Sequence, residues 1–488
     1  MKRPSLLFIY TDEQAFNTLA AYGNSRIHMP NLNRLAAESV VFDQAYVTQP
    51  VCTPSRSSLL TGLYPHSNGC TENNLVLRPD IPCLPELLVE GDYATAHIGK
   101  WHLGDELFAQ HGFREWVSIE DFYNNFFTEG RDRNCRSDYH RFLIESGFTP
   151  RLGEVFKRDE AARMPEAYGK PAFAAREASR FLRERGQDPF VLYVNFLEPH
   201  MPFFGPRDGQ YDPATLPLPP NFDHVLDETN PLKARLLREH YRRYGHGVSR
   251  LPLETENDWR RMIANYWGLC SLIDTHVGTI LDTLEQCGRG DDTIVVFTSD
   301  HGDMMGSHRL LAKCLMFEEA VRVPFMIRLP GAKKGRRVMG PVGQIDVVPT
   351  LLDLMGQPLD DSLQGRSLRP WLEREEARVS EPVFIEWNGP NNGLGDVKND
   401  VKIPEWMKDM APPDRIRAAC KDPVRTVVAA DGWKFNCSPL GEHELYRLDQ
   451  DPYETRNIYA ENTGVARRLQ DLIEQWQQRT GDTVSWMR

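Results

Sequence analysis

The sequence lacks several features that mark well-known classes of protein. No apolar run approaches the roughly 20 residues of a membrane helix, which argues against a membrane-spanning protein. The nine cysteines are scattered, odd in number and without a CxxC pair, which argues against a disulfide framework or a zinc finger. Positive charge is not in excess, because the formal net charge is −12. A general nucleic-acid-binding or membrane-binding surface is therefore not expected.

The apolar run near the N-terminus, Leu6–Tyr10, is short, and Asp12 and Glu13 follow it at once. The apolar part of a secretory signal is about 7–15 residues long, so this run does not read as one. We therefore expect a cytoplasmic protein.

Apolar runs bounded by turn residues alternate with helical patterns such as Trp259–Gln286. This alternation predicts an α/β fold in which helices cover both faces of a sheet. The pattern changes after about residue 372, where shorter β-prone runs precede an amphipathic stretch at Gly464–Thr480. We predict a catalytic domain over residues 1–372 and a smaller C-terminal α+β domain over residues 373–488.

Four β-prone runs are each followed at once by a polar residue that is capable of chemistry. They are Leu6–Tyr10 before Asp12, Ala94–Ile98 before Lys100, Phe190–Leu197 before His200, and Thr293–Thr298 before Asp300. In open α/β sheets, ligand sites gather at the carboxyl ends of the strands. We therefore expect these four side chains to meet in one crevice.

The segment that begins at Cys52 carries the most information. Pro54 suits the first turn of a helix, and we predict a helix over Pro54–Leu63 with Cys52 just before its N-terminus, where anions are stabilised. Arg56 lies four residues after Cys52 and so points to the same side. A guanidinium beside a nucleophile fits a tetrahedral oxyanion. Taken alone, this pattern also fits a buried cysteine next to a surface arginine.

The full run from Cys52 to Gly62 resembles the signature of the formylglycine-dependent sulfatases, C-x-P-S-R followed by small residues and L-T-G. The resemblance extends from Thr11 to Pro452 and lies near the choline-sulfatase and phosphonate monoester hydrolase branches. It implies an alkaline-phosphatase-like mixed sheet flanked by helices. It also implies that a formylglycine-generating maturation enzyme oxidises Cys52, and that the aldehyde hydrate is the nucleophile.

Further blocks resemble the family's motifs, in the family's order. They are Gly99–Gly104, Glu198–Pro202, Ser299–Asp303, the segment around Lys313, and Asn73. The catalytic residues that the resemblance implies are Cys52, Arg56, Lys100, His102, His200 and Lys313. Asn73 is implied to bind substrate.

The resemblance also implies a role for each group. Asp300 would accept a proton from the attacking hydroxyl, His200 would protonate the leaving alcohol, and His102 would deprotonate the second hydroxyl. Arg56, Lys100 and Lys313 would stabilise the sulfate oxygens.

The implied metal ligands are Asp12, Glu13, Asp300, His301 and the modified Cys52. Here the chain departs from the most familiar sulfatases, which have two adjacent aspartates and an Asp-Asn pair. Oxygen ligands favour Ca²⁺, whereas the imidazole of His301 moves the preference toward Mn²⁺. We expect one divalent metal, with Ca²⁺ favoured and Mn²⁺ as the alternative.

The resemblance predicts a sulfuric ester hydrolase, such as an arylsulfatase, that releases an alcohol and sulfate. The nearest alternative is a phosphonate monoester or phosphodiester hydrolase that uses the same site. A non-catalytic anion-binding relative and a thiol-redox protein based on Cys52 are further alternatives. The alcohol can be an aryl, choline-like or sugar group. We expect a small-molecule or saccharide sulfate as partner, no nucleic acid or membrane, and, by resemblance, a homo-oligomer.

Overall fold

A computed structural model describes residues 3–89, 92–121, 126–249, 251–374, 377–389, 394 and 403–486. Ten strands within these ranges form one large sheet, in the order β10-β9-β2-β8-β6-β1-β5-β3-β4, with β7 paired to β2. The strands are β1 Ser5–Asp12, β2 Val40–Tyr46, β3 Ala94–Gly99, β4 Glu115–Ser118, β5 Phe190–Pro199, β6 Thr293–Ser299, β7 Arg322–Val323, β8 Phe325–Arg328, β9 Arg336–Gly343 and β10 Ala377–Arg378.

The sheet is mostly parallel, including the pairs at both of its edges, and the antiparallel strand β8 lies inside it. Strand β1 pairs in parallel with both β5 and β6, and β5 pairs in parallel with β3. Strand β8 runs antiparallel to β6 and β2. Parallel strands with both faces covered read as continuous apolar runs, which is why their positions were visible in the sequence. The predicted α/β fold with a mixed sheet is confirmed.

The described ranges contain fifteen α-helices. They are α1 Pro30–Glu38, α2 Cys52–Thr61, α3 Pro65–Asn68, α4 Leu84–Leu87, α5 Asp138–Glu145, α6 Arg158–Ala161, α7 Lys170–Arg185, α8 Leu232–Tyr244, α9 Glu256–Gln286, α10 Glu318–Val321, α11 Val347–Leu354, α12 Arg369–Leu372, α13 Glu405–Lys408, α14 Pro413–Lys421 and α15 Thr463–Thr480. Helices α7 and α9 pack on the large sheet, and α15 packs on the C-terminal sheet introduced below. Helix α9 begins earlier than predicted because Thr255 and Asp258 form a capping box. In the described ranges, no helix combines the length and apolarity needed to cross a bilayer.

A second, antiparallel sheet lies toward the C-terminus. Its four strands are β11 Val383–Glu386, β12 Arg425–Val428, β13 Trp433–Cys437 and β14 Glu444–Arg447. Helix α15 buries Trp476 against this sheet, where the indole stacks on Phe384. This is the smaller α+β unit that the sequence predicted. The boundary between residues 372 and 373 remains a prediction, and β10, just after it, still pairs with the large sheet.

Candidate functional site

The carboxyl ends of four neighbouring strands of the large sheet form the site. Strands β6, β1, β5 and β3 are adjacent and parallel, so their carboxyl ends lie on one edge. Asp12 ends β1, and the Lys100 ammonium, just after β3, donates a hydrogen bond to its Oδ2. Asp300, just after β6, is hydrogen-bonded through its backbone N–H to the Thr11 carbonyl. The four strand ends therefore do converge.

Cys52 lies at the centre of this edge. It is the first residue of α2, not the residue before the helix, and it is only 1% exposed. Its Sγ lies 3.3 Å from Nε2 of His301 and 3.8 Å from Oδ1 of Asp12. Burial, followed by the charge of Asp12, raises the pKa of the Cys52 thiol to about 11. Because the thiolate is the reactive form, this environment argues against a redox role for the unmodified cysteine.

Asp12, Cys52, Asp300 and His301 have the geometry of a metal site. Their ligand atoms all lie within 4.8 Å of one another. Nδ1 of His301 lies 2.9 Å from the Gly302 carbonyl, which can only accept, so Nδ1 carries the ring proton. The lone pair of Nε2 therefore faces Oδ1 of Asp300 at 3.6 Å and Oδ1 of Asp12 at 3.8 Å. A lone pair beside two carboxylate oxygens can share a cation with them, so these residues fit a divalent metal.

Glu13 lies outside that four-residue cluster. Its Oε2 is 2.6 Å from the Lys313 ammonium and 3.4 Å from Nε2 of His200. Burial alone would lower the pKa of Lys313, but the Glu13 carboxylate raises it well above its ordinary value, so the lysine is charged. The ligand role of Glu13 stays a prediction: its Oε2 pairs with Lys313, and the ligand atoms of Asp12, Glu13 and His200 also lie within 4.8 Å of one another.

Arg56 holds the two aspartates. Its Nη2 donates to Oδ2 of Asp12 and its Nε to Oδ2 of Asp300, both at 2.8 Å, and all three side chains are fully buried. Its Nη1 donates to the Lys100 carbonyl and to the Asn195 amide oxygen, both at 2.9 Å. The sequence predicted that Arg56 would contact sulfate oxygens. The structure instead directs these donors to the carboxylates and the backbone, which gives Arg56 a positioning role.

Both carboxylate oxygens of Asp300 are already engaged. Oδ1 accepts hydrogen bonds from the backbone N–H groups of Glu13 at 3.0 Å and His301 at 2.8 Å, and Oδ2 accepts from Arg56. These bonds fix the orientation of the carboxylate, whose Oδ1 also faces Nε2 of His301 at 3.6 Å. The role of Asp300 as a base stays a prediction.

The turn after β3 positions Lys100 and His102. His102 has a left-handed backbone (φ 60°), and its Nε2 lies 2.8 Å from the Asn74 amide oxygen. The Glu106 carboxylate accepts the backbone N–H groups of Trp101 at 2.9 Å and His102 at 2.6 Å. Burial, followed by the charge of Lys100, lowers the pKa of His102 well below its ordinary value. A neutral His102 can therefore act as a proton acceptor.

Gly99 makes this turn possible, and its replacement gives a stability prediction. Its φ is 120°, and an added Cβ would lie 1.9 Å from the Asn195 carbonyl oxygen. We expect Gly99→Ala to lower the free energy of unfolding by more than about 2 kcal/mol. Gly23→Ala is the matched control, because Gly23 has φ 100° but its Cβ would meet no atom within 4 Å. Urea denaturation measures both, and equal losses would contradict the clash.

His200 and Asn73 are also held by backbone contacts. Nδ1 of His200 lies 2.9 Å from the Met201 carbonyl, so its Nε2 faces Glu13 without the ring proton. Burial, followed by the charge of Lys313, lowers the pKa of His200 well below its ordinary value. The amide oxygen of Asn73 accepts the Thr53 N–H at 2.9 Å and so caps the first turn of α2. This cap is a structural role that the sequence did not predict for Asn73.

Four polar residues that support the site were not predicted from the sequence: Asn74, Glu106, Asn195 and Gln344. Asn195 is a polar residue inside an apolar strand, and this mismatch was a usable signal. The Gln344 amide donates to the Ser299 carbonyl at 3.0 Å and accepts from Ser55 at 2.8 Å. It comes from a turn far along the chain, and no local pattern marks it.

Comparison with known proteins places this geometry in context. A family model described as Sulfatase matches residues 4–357. N-acetylglucosamine-6-O-sulfatase of Bacteroides thetaiotaomicron is 26% identical over 551 residues, covering 99% of this chain and 87% of the relative. The uncharacterised sulfatase YidJ of Escherichia coli K12 is 30% identical over 466 residues, covering 94% of this chain and 83% of the relative. The solved structure of a phosphonate monoester hydrolase from Silicibacter pomeroyi aligns with a TM-score of 0.76 at 23% identity, covering 98% of this chain and 96% of that chain. The two proteins therefore share the fold.

Proposed function

Since the chain belongs to the sulfatase family, whose members are sulfuric ester hydrolases, we propose that it hydrolyses sulfate monoesters to an alcohol and sulfate with a nucleophile made from Cys52. One observation carries the proposal. The Cys52 side chain lies in a buried group of metal-type ligands with Asp12, Asp300 and His301. Oxidation of Cys52 to formylglycine would place two hydroxyl groups there after hydration, one to attack sulfur and one to release sulfate.

The metal would be held by Asp12, Asp300, His301 and the modified residue 52. Bound there, a divalent cation would lower the pKa of a hydroxyl and polarise the sulfate group. Two carboxylates favour Ca²⁺, and one imidazole makes Mn²⁺ the alternative. Glu13 is not needed in this set, because its carboxylate is paired with Lys313.

The protein's own residues supply the rest of the chemistry. Arg56 fixes the two aspartates, so the ligands do not have to reorganise when the substrate binds. Lys100 and Lys313 bring positive charge to the rim of the ligand cluster, where the sulfate oxygens would lie. His200 presents an unprotonated Nε2, because its Nδ1 is held by the Met201 carbonyl, and a proton taken up at Nε2 with the substrate bound would pass to the leaving alcohol. His102 can accept a proton from the remaining hydroxyl.

Charge alone does not separate the candidate esters. Asp12, Asp300 and Glu13 are paired with Arg56, Lys100 and Lys313, so these side chains balance one another and a divalent metal would leave the site net positive. Phosphonate monoesters and phosphodiesters carry one charge, as sulfate monoesters do, and they remain the second candidate. The fold shared with a phosphonate monoester hydrolase supports that candidate.

Turnover of matched aryl esters separates the two candidates. We expect kcat/KM for 4-nitrophenyl sulfate to exceed that for 4-nitrophenyl phenylphosphonate by at least about tenfold, which corresponds to about 1.4 kcal/mol of transition-state stabilisation. Both esters release 4-nitrophenol, so the ratio of kcat/KM values reports only the preference for the sulfate over the phosphonate group. A ratio that favours the phosphonate would replace the sulfatase proposal with the second candidate.

The remaining parts of the proposal concern the setting of the reaction. The substrate is a small-molecule or saccharide sulfate, and the maturation partner is a formylglycine-generating enzyme that recognises residues 53–62. The protein acts in the cytoplasm and as a homo-oligomer.

A further inference from the structure

A cavity of about 550 Å³ lies outside the site described above. We call it the arginine-lined cavity. The lining residues that matter here are Arg235, Arg238, Arg242, Arg309, Phe222 and Trp259. None of them belongs to the catalytic or metal-type residues. The volume lies within the range of pockets that bind small ligands, about 300–1,000 Å³.

Helix α8 directs three of these arginines into the cavity. Arg235, Arg238 and Arg242 are spaced three and four residues apart, so they lie on one face of the helix. The other face of α8 is buried and includes Lys233, whose ammonium donates to the Cys314 carbonyl next to Lys313. Helix α8 therefore lies between the cavity and the loop that carries an active-site lysine.

The charges in the cavity are not balanced by the protein. Arg242 forms a two-fold hydrogen bond with Glu239 at 2.7 and 2.6 Å, and Arg309 pairs with Asp223 at 2.7 Å. Arg235 and Arg238 are half-buried, and neither forms an ion pair with any residue in the described ranges. Burial, followed by the like charge of Arg309, lowers the pKa of Arg238.

The carboxylates that line the cavity do not change this balance. Glu239 is shared between Arg242 and Arg243, and Glu256 pairs with Arg260 at 2.8 Å. Glu254 is exposed to solvent. Glu239 and Asp223 act on Arg238 only from beyond ion-pair distance. The partial loss of water around the two half-buried guanidiniums is therefore only weakly offset. An anionic ligand would supply a close partner.

The floor of the cavity is aromatic. The rings of Phe222 and Trp259 meet edge to face at 5.7 Å, and the Arg309 guanidinium lies 4.7 Å from the Phe222 ring centroid. A ligand that fits must therefore combine apolar surface with oxyanion groups that can accept paired hydrogen bonds from a guanidinium. We propose that the arginine-lined cavity is a non-catalytic subsite for a sulfated saccharide, in which Arg235 and Arg238 bind a sulfate group. The saccharide class rests on the proposed function.

Binding of sucrose octasulfate tests this proposal. We expect isothermal titration calorimetry to show that the double variant Arg235→Gln/Arg238→Gln binds this probe at least about tenfold more weakly than the wild-type enzyme, because two charge-assisted contacts are lost. Arg243→Gln is the matched control: Arg243 lies on the same helix but does not line the cavity. We expect this control to bind within about twofold of wild type.

Equal affinity of the double variant and the control would overturn the subsite. The variant Arg235→Lys/Arg238→Lys keeps the charge but loses the planar fork, and we expect intermediate affinity from it. Titration with sodium sulfate tests whether the saccharide contributes to binding. We expect sodium sulfate to bind more weakly than the octasulfate, and equal affinity would overturn the assignment of the ligand as a saccharide. Turnover of 4-nitrophenyl sulfate by the wild-type preparation is measured separately. Its absence would count against the proposed function, whereas the binding comparison stands on its own.

Discussion

The Cys52→Ala variant is expected to lose at least about 1,000-fold in kcat for 4-nitrophenyl sulfate, because removing a covalent nucleophile removes the reaction path that the site supports. The Cys52 Sγ is the group on which His301 and Asp12 converge, and α2 is rigidly packed around it. An alanine leaves Asp12, Asp300 and His301 in place and fits the same space. The loss should therefore appear in kcat, with the melting temperature little changed.

The matched control for this variant is Cys135→Ala, because Cys135 is exposed and lies outside the site. Mass spectrometry of the wild-type peptide should show residue 52 about 18 Da lighter than cysteine, the change that accompanies oxidation of the thiol to an aldehyde. An aminooxy probe should label the wild type and the control, but not Cys52→Ala. Wild-type kcat in Cys52→Ala would refute the proposed mechanism.

The Asp12→Asn variant is expected to lose its divalent metal and at least about 100-fold in kcat. The substitution keeps the shape of the side chain and removes one buried negative charge. Asp12 faces His301 and Cys52 through Oδ1, while Oδ2 accepts from Arg56 and Lys100. Leaving those two cations without their carboxylate should also lower the free energy of unfolding by about 3 kcal/mol.

Elemental analysis of the purified protein and urea denaturation measure these two effects separately. Asp274→Asn is the matched control, since Asp274 is also buried and accepts hydrogen bonds from Leu32 N–H at 2.7 Å and from Asn31. It should lose stability but keep the metal and kcat. An Asp12→Asn protein with wild-type metal content would show that the cluster around Cys52 is not the metal site.

The strands and their catalytic ends could be predicted from the sequence because both signals are local. An apolar run followed by Asp12 or Asp300 identifies a strand end without knowledge of its neighbours. The hydrogen-bond partners of the Arg56 guanidinium could not be predicted in this way. Its four partners come from β1, β5, the turn after β3 and the segment after β6. Only the assembled sheet brings them together.

The contacts of Glu13 and Asn73 likewise depend on distant parts of the chain. The resemblance suggested a metal ligand and a substrate contact, and both assignments followed from position in a motif. The structure pairs Glu13 with Lys313, 300 residues away, and uses the Asn73 oxygen to cap α2. A motif identifies which residues meet, but the partner of each polar atom depends on chain segments that the motif does not contain.

The complete burial of α2 has a consequence for how this protein must be made. Every residue from Cys52 to Thr61 is covered by other parts of the chain. A second enzyme that has to bind this segment cannot reach it once the protein has folded. If residue 52 carries the aldehyde that we propose, its formation therefore has to precede folding, while the nascent polypeptide is still extended. Protein produced in a host without the oxidising machinery would then be folded yet permanently inert, and later exposure to that machinery would not rescue it.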